Sequence, residues 1–158
     1  MSSELITQWG DHDIALQKVL AKATKDILIF DADLSALKLE RPENTEFLGN
    51  FLATDIKNTL HLILRNAEPL RRNSPRLMKL LAAHPQNFLV FECPENIAKL
   101  SDSMLIVDGQ HALIRFHQDN VRCKAIFDDV DECRPYLTRF EEIVKEGGEQ
   151  VSATVLGL

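Results

Sequence analysis

Two serines stand two residues apart at the head of an apolar run, Ser101-Asp-Ser103-Met-Leu-Ile-Val-Asp108-Gly109, and Arg115, Phe116 and Gln118 follow within ten residues of Asp108. Residues two apart on a strand share a face. Paired hydroxyls act as nucleophiles only when a neighbouring base removes the proton. Arg115 and His117 also lie two apart, a pairing that suits a phosphate or carboxylate. Alternatively, Arg115 pairs with an internal acid such as Asp102 or Glu92 and stabilises the sheet, since a buried polar group needs a partner either way.

Further groups with chemical potential are scattered. Arg65, Arg71, Arg72 and Arg76 form the one basic concentration, and Arg71 and Arg72 are candidates to bind an anion. The plain alternative is a solvated helix start and loop. Asp31 and Asp33 end an apolar run, where paired acids can hold Mg²⁺, but Glu92-Cys93-Pro94 is a poor third ligand. His12, His61, His84 and His111 lack metal-ligand spacing, and no metal or cofactor is expected. Cys93, Cys123 and Cys133 read as buried thiols, because an odd set without C-x-x-C spacing suggests neither a disulfide framework nor a zinc site. Trp9 reads as a packing anchor for the first helix.

The elements that must position these groups follow from periodicity. From Asp11, the residues Ile14, Leu16, Val19, Leu20 and Ala23 recur at helical spacing. Ile27–Phe30, Thr59–Leu64 and Asn87–Phe91 are short apolar runs of the kind buried on both faces of a sheet. Between them, Asn44 or Thr45 caps a helix carrying Phe47, Leu48, Phe51 and Leu52, and Leu77, Leu80 and Leu81 mark another. Residues 65–76 read as a turn and a basic, proline-containing segment. After residue 100 the rhythm changes. Ser103–Val107, Ala112–Phe116 and Cys123–Phe127 are too close together for crossover helices, so hairpins join them. Gly109 suits the first turn and Gln118-Asp-Asn120 the second. A last helix from Asp131 or Glu132 turns Tyr136, Leu137, Phe140, Ile143 and Val144 inward, Gly147-Gly148 ends it, and Val151–Leu156 is a final strand. Crossed strands followed by hairpins predict an α/β fold with a mixed sheet and helices on both faces.

This order and the 101–118 segment resemble the phospholipase D-like superfamily, which carries H-x-K-x4-D, then six residues, then G-S, often with an Asn two positions later. Ser101 stands at the His position, Ser103 at the Lys and Asp108 at the Asp. Arg115-Phe116 stands at Gly-Ser, and Gln118 at the Asn. The resemblance covers nearly the whole chain and is closest to small, single-motif bacterial members that pair as homodimers. In active members it implies that the His attacks phosphorus, a second His protonates the leaving oxygen and the Lys neutralises charge. Here both catalytic positions are serine, and losing one member of a covalent unit costs on the order of 10⁶ in rate. Asp108 is then either a leftover of the motif or simple hairpin chemistry with Gly109.

The chain has 158 residues, a net charge of -6, 45% hydrophobic and 27% charged residues. This size suits one domain spanning residues 1–158. The acidic balance argues against non-specific nucleic-acid binding. No apolar run reaches the roughly 20 residues of a membrane span, and Met1-Ser-Ser-Glu4 is not a signal peptide, so a cytoplasmic location is expected. The expected function is that of a non-catalytic phospholipase D-like domain, homodimeric, binding a protein partner or a small anionic ligand. The alternatives are a phosphodiesterase with an altered site and a nucleic-acid-binding remnant.

Overall fold

The computed structural model describes residues 2–153. Its centre is one sheet of eight strands in the order β1-β7-β6-β5-β2-β3-β4-β8. The strands are β1 (Ser2–Ile6), β2 (Asp26–Asp31), β3 (Thr59–Leu64), β4 (Phe88–Glu92), β5 (Ser103–Val107), β6 (His111–Arg115), β7 (Cys123–Phe127) and β8 (Glu149–Gln150). β2, β3 and β4 run parallel, while every other pairing is antiparallel. The mixed sheet predicted from the change of rhythm at residue 100 is the one observed.

Among the described residues six helices accompany it: α1 (Trp9–Ala21), α2 (Pro42–Thr54), α3 (Glu68–Asn73), α4 (Pro75–Ala83), α5 (Glu95–Ala98) and α6 (Val130–Lys145). Side chains alternate across the central strands into two cores. Ile27, Ile29, Leu60, Leu62, Leu105 and Val107 face α1, α2 and α4 with Leu16, Leu48, Leu52 and Leu77. Phe30, Met104, Ile106, Ile114 and Ile126 face α6 with Phe140 and Ile143. Helices therefore cover both faces. All residues of β5 and β6 are buried, the burial that near-continuous apolar runs dictate.

Several local expectations are corrected. The edge strand β1 leaves no mark in the apolar pattern, because Ser2-Ser3-Glu4 is polar and four of the five β1 residues are exposed. Ile14 points to solvent at 56% exposure, and His12 and Ala15 take the inward stripe of α1. Asn44 and Thr45 do not cap α2. Arg41 is the N-cap, Pro42 opens the helix, and the Thr45 hydroxyl donates back to the Arg41 and Pro42 carbonyls. Residues 68–73 are not irregular but form α3, since a proline is tolerated in a first turn. Phe116 falls outside β6, and Val144 is half exposed on α6. The final strand is Glu149–Gln150 rather than Val151–Leu156, of which residues 154–156 lie outside the described residues. Gly148 is obligatory there: its φ is +141°, and a Cβ would stand 2.4 Å from the Glu92 carbonyl oxygen.

Candidate functional site

One end of the sheet gathers the chemistry. It is the carboxyl end of the parallel strands, where ligands bind in open α/β sheets. Strand register places Ile6, Cys123, Arg115 and Ser103 side by side there. The Ser103 hydroxyl donates to Asp31 Oδ1, extending the row onto β2. The same oxygen accepts from Arg115 Nη2 at 3.2 Å, and Asp31 Oδ2 accepts the Leu34 N–H at 2.7 Å. Asp31 is 1% exposed, and Ser103 and Arg115 are each 3% exposed. A carboxylate so buried persists only when its lone pairs are met by donors, and here a hydroxyl, a guanidinium and a backbone amide meet them.

Helix α1 closes this cluster from above. The Trp9 ring lies 5.7 Å from the Arg115 guanidinium and packs edge-on against His12 at 5.2 Å. Burial pushes the His12 imidazole below its ordinary value, and the nearby Arg115 charge adds to this, against the raising effect of Asp13. Cys123, beside Arg115 in register, is pushed up to about 11 by burial, against the lowering effect of the neighbouring cation, which keeps its thiol protonated near neutral pH.

On the other face of the same end, Arg65 follows β3. Its guanidinium stacks 4.8 Å over Phe30. Nε donates to Gln118 Oε1 at 3.0 Å and Nη1 to the Asp102 carbonyl at 2.8 Å. Asp102 accepts two bonds from Arg139 of α6, at 2.7 and 3.0 Å. The Gln118 N–H donates to the Ser101 carbonyl, so the segments before β5 and after β6 are tied across the sheet end. Three buried guanidinium nitrogens, Arg65 Nη2, Arg115 Nε and Arg115 Nη1, have no hydrogen-bond partner among the described residues.

The structure thus regroups the sequence candidates. Arg115 pairs with Asp31, not with Asp102 or Glu92. Asp102 belongs to Arg139, and Glu92 accepts from the Ala67 N–H. His117 does not share the Arg115 surface. β6 ends at Arg115, and His117 is exposed in the following turn, where its Nδ1 accepts from Asp119 N–H. Phe116, beside it, is 43% exposed. Asp108 lies at the opposite end of β5, about 16 Å from Ser103 at 3.3 Å per residue. There it takes φ +55° with Gly109 at +68°. Its carboxylate accepts from the Thr24 N–H and hydroxyl, the Lys25 N–H and the Asp26 N–H. Burial pushes that carboxyl up, but the four hydrogen bonds outweigh it and hold the group below its ordinary value.

The basic concentration also disperses. Arg71 and Arg72 both pair with Glu68, and Arg76 pairs with Glu40, while Arg65 alone joins the sheet end. Asp31 is engaged by Ser103 and Arg115, and Asp33 accepts the Ser35 N–H. Among the described residues no group of three His, Cys, Asp or Glu can hold a metal ion. Trp9, expected as an apolar anchor, is 47% exposed and lies against Arg115 and His12 instead. Three residues of the site escape sequence reasoning in their roles: Arg65, grouped there with the surface arginines, Arg139, which pairs with Asp102, and His12. Arg65 is legible as the first residue after a parallel strand, whereas nothing in the sequence distinguishes His12 from a surface histidine of α1.

Comparison with known proteins fits this geometry. A family profile described as Domain of unknown function (DUF7931) matches residues 10–152. None of the curated proteins matches in sequence. Among solved structures, the chain is similar to TrmBL2, an archaeal chromatin protein whose structure shows a novel mode of DNA binding (TM-score 0.69, 15% identity). That match covers 96% of this chain, which spans 54% of the TrmBL2 chain. It is also similar to Nuc, a phospholipase D family member from Salmonella typhimurium, with a TM-score of 0.61, 12% identity and 96% and 99% of the two chains covered. NucT from Helicobacter pylori matches at a TM-score of 0.58 and 10% identity, over 92% and 96%. At these identities the likeness shows the fold, which is of the phospholipase D nuclease type. No helix among the described residues is long and apolar enough to cross a membrane.

Proposed function

The chain belongs to the DUF7931 family, and from that premise we propose that it is a phospholipase D-like domain that binds rather than hydrolyses. One observation carries the reading: Ser103, at the position of the motif lysine, spends its hydroxyl on the buried Asp31. The positive charge beside it, Arg115, is held by the same carboxylate. Ser101, at the position of the motif histidine, has no imidazole in hydrogen-bond contact among the described residues, and unassisted hydroxyls are weak nucleophiles. The position of the motif Gly-Ser carries Arg115 and Phe116, of which the first is structural and the second apolar.

Hydrolysis of bis(p-nitrophenyl) phosphate, with and without divalent metal, tests this. The expected rate equals that of buffer. Turnover abolished by Ser103→Ala or by His12→Ala would overturn the proposal in favour of an altered phosphodiesterase.

A homodimer is part of the same proposal. β1 and β6 both run antiparallel to β7 and so end on the same side, which brings exposed Leu5, Trp9 and Phe116 to the site's end of the sheet. Equilibrium sedimentation is expected to give twice the chain mass, and Phe116→Asp is expected to shift it towards one chain.

A nucleic-acid reading takes its support from TrmBL2. Against it stand the net charge of -6 and the pairing of Arg71, Arg72 and Arg76 with glutamates. Salt-dependent retardation of DNA, lost in Arg71→Ala/Arg72→Ala, would favour it over a binding role for a smaller ligand.

A further inference from the structure

The two edges of the sheet are finished differently. β8 is two residues long and follows Gly147-Gly148, and a very short edge strand offers little for another chain to pair with. β1 runs for five residues in unbroken register with β7, from Ser2 opposite Phe127 to Ile6 opposite Cys123. It carries no proline, lysine or bulge, the usual devices that blunt an edge.

The direction of its free backbone groups follows from the neighbouring pair of strands. The Phe116 N–H donates to the Arg122 carbonyl at 3.2 Å, so Arg122 turns its backbone groups towards β6. Along an antiparallel strand, residues that bond to one neighbour alternate with residues that do not. Lys124 and Ile126 therefore bond to β6, while Cys123, Ala125 and Phe127 bond to β1. Their partners Ile6, Glu4 and Ser2 are used inward, and Ser3 and Leu5 present N–H and C=O to the open side.

Charge lies along the same edge. A groove of about 830 Å³ between β1 and α1 is lined by Ser2, Glu4, Lys18, Lys22, Phe127 and Asp128. Lys22 reaches Asp128 at 3.9 Å. Glu4 and Lys18 are both exposed, and neither makes an ion pair among the described residues. A surface with one unpaired acid and one unpaired base is complementary to its own copy, which is what a two-fold contact requires.

The same charges choose the register. An axis at Glu4 sets two carboxylates directly opposite each other, which is unfavourable. An axis at Leu5 sets Glu4 against the buried Ile6 of the other copy. An axis at Ser3 sets Glu4 against the other copy's Ser2, in the groove that holds Lys18 and Lys22. We propose that β1 pairs antiparallel with β1 of a second copy about a two-fold axis at Ser3, joining two eight-stranded sheets edge to edge. The two Ser3 residues exchange N–H···O=C bonds, and each Glu4 meets the lysines of the other copy. Phe116 follows β6, two strands inward, so this contact is separate from the open-end homodimer proposed above and goes beyond it.

The test is oxidative cross-linking of the full chain carrying Ser3→Cys, read as doubling of mass on a non-reducing denaturing gel. Opposed residues of a hydrogen-bonded antiparallel pair have Cα atoms about 5.5 Å apart, within the span of a disulfide. The same axis separates the two Leu5 residues by about 13 Å along the strands, so Leu5→Cys is the control. Cys93, Cys123 and Cys133 are buried, and the unsubstituted chain measures their contribution. Ser3→Cys is expected to cross-link on the order of tenfold faster than Leu5→Cys, and equally fast in Ser3→Cys/Phe116→Asp. Adding Lys18→Glu is expected to slow it about threefold, since exposed ion pairs are individually weak, and adding Glu4→Lys as well should restore the rate. Ser3→Cys no faster than Leu5→Cys, cross-linking lost with Phe116→Asp, or indifference to Lys18→Glu overturns the inference and leaves the open-end homodimer standing. A sedimenting mass unaffected by Phe116→Asp, with Ser3→Cys still cross-linking, sinks the open-end homodimer alone.

Discussion

At each end of the β5–β6 hairpin an aspartate bonds across the sheet, Asp108 from the hairpin's own turn and Asp31 from the end of β2, and the two differ in how fully the bonding is completed. At the turn end, Asp108 accepts four hydrogen bonds from the chain at the start of β2, all from backbone or hydroxyl donors. No cation is needed. At the open end, Asp31 is more deeply buried and binds one hydroxyl, one amide and one guanidinium, yet unpaired N–H groups remain on Arg115. The first arrangement needs nothing more for the fold. The second joins a buried charge pair to a network that is not fully satisfied, and incomplete polar networks are where local rules are broken.

The largest effect that would sharpen this contrast comes from removing the buried cation. Arg115→Met leaves Asp31 without its charge partner and is expected to cost about 3–5 kcal/mol in denaturant unfolding. The double variant Asp31→Asn/Arg115→Met removes both charges and should regain most of that loss. If the double is as unstable as the single, the Asp31–Arg115 pair is not the unit described. At the other end, Asp108→Ala loses four accepted bonds at a partly exposed site. The expected cost is about 1–3 kcal/mol in denaturant unfolding. A loss larger than that of Arg115→Met would break the contrast between the two ends.

Acid probes them differently. The Asp108 carboxyl is held below its ordinary value, so its contribution is complete above that value and is lost as pH falls through the lower folded one. The histidines act at higher pH. Burial lowers His12, His61 and His111. A base with a depressed folded value costs nothing while neutral, and stability falls as pH drops below the ordinary 6.5. His61, between Phe91 and Phe140 with Nε2 unpaired among the described residues, should contribute strongly. The denaturation midpoint is expected to fall as pH is lowered from about 7.5 to about 5, and His61→Phe should flatten that slope. An unchanged slope would place the titration elsewhere. The smallest effect is at the surface: Arg71→Ala/Arg72→Ala should change stability by within about 0.5 kcal/mol per residue, since both side chains share one exposed glutamate.

Periodicity and spacing alone determined much of this protein. The apolar runs of β2, β3 and β5 read as strands, and the short gaps after residue 107 left room for hairpins but not for crossover helices, because pattern period and loop length are local properties. The absence of the motif imidazole and ammonium was equally plain, since residue identity needs no coordinates. What tertiary structure decided was pairing. Asp31 and Arg115 are 84 positions apart, and only the antiparallel placement of β5 between β2 and β6 joins them. The polar edge strand β1, the inward turn of His12 and the half-buried course of Arg65 were decided in the same way. Each depends on which long-range neighbour fills the space beside it, and no local pattern encodes that.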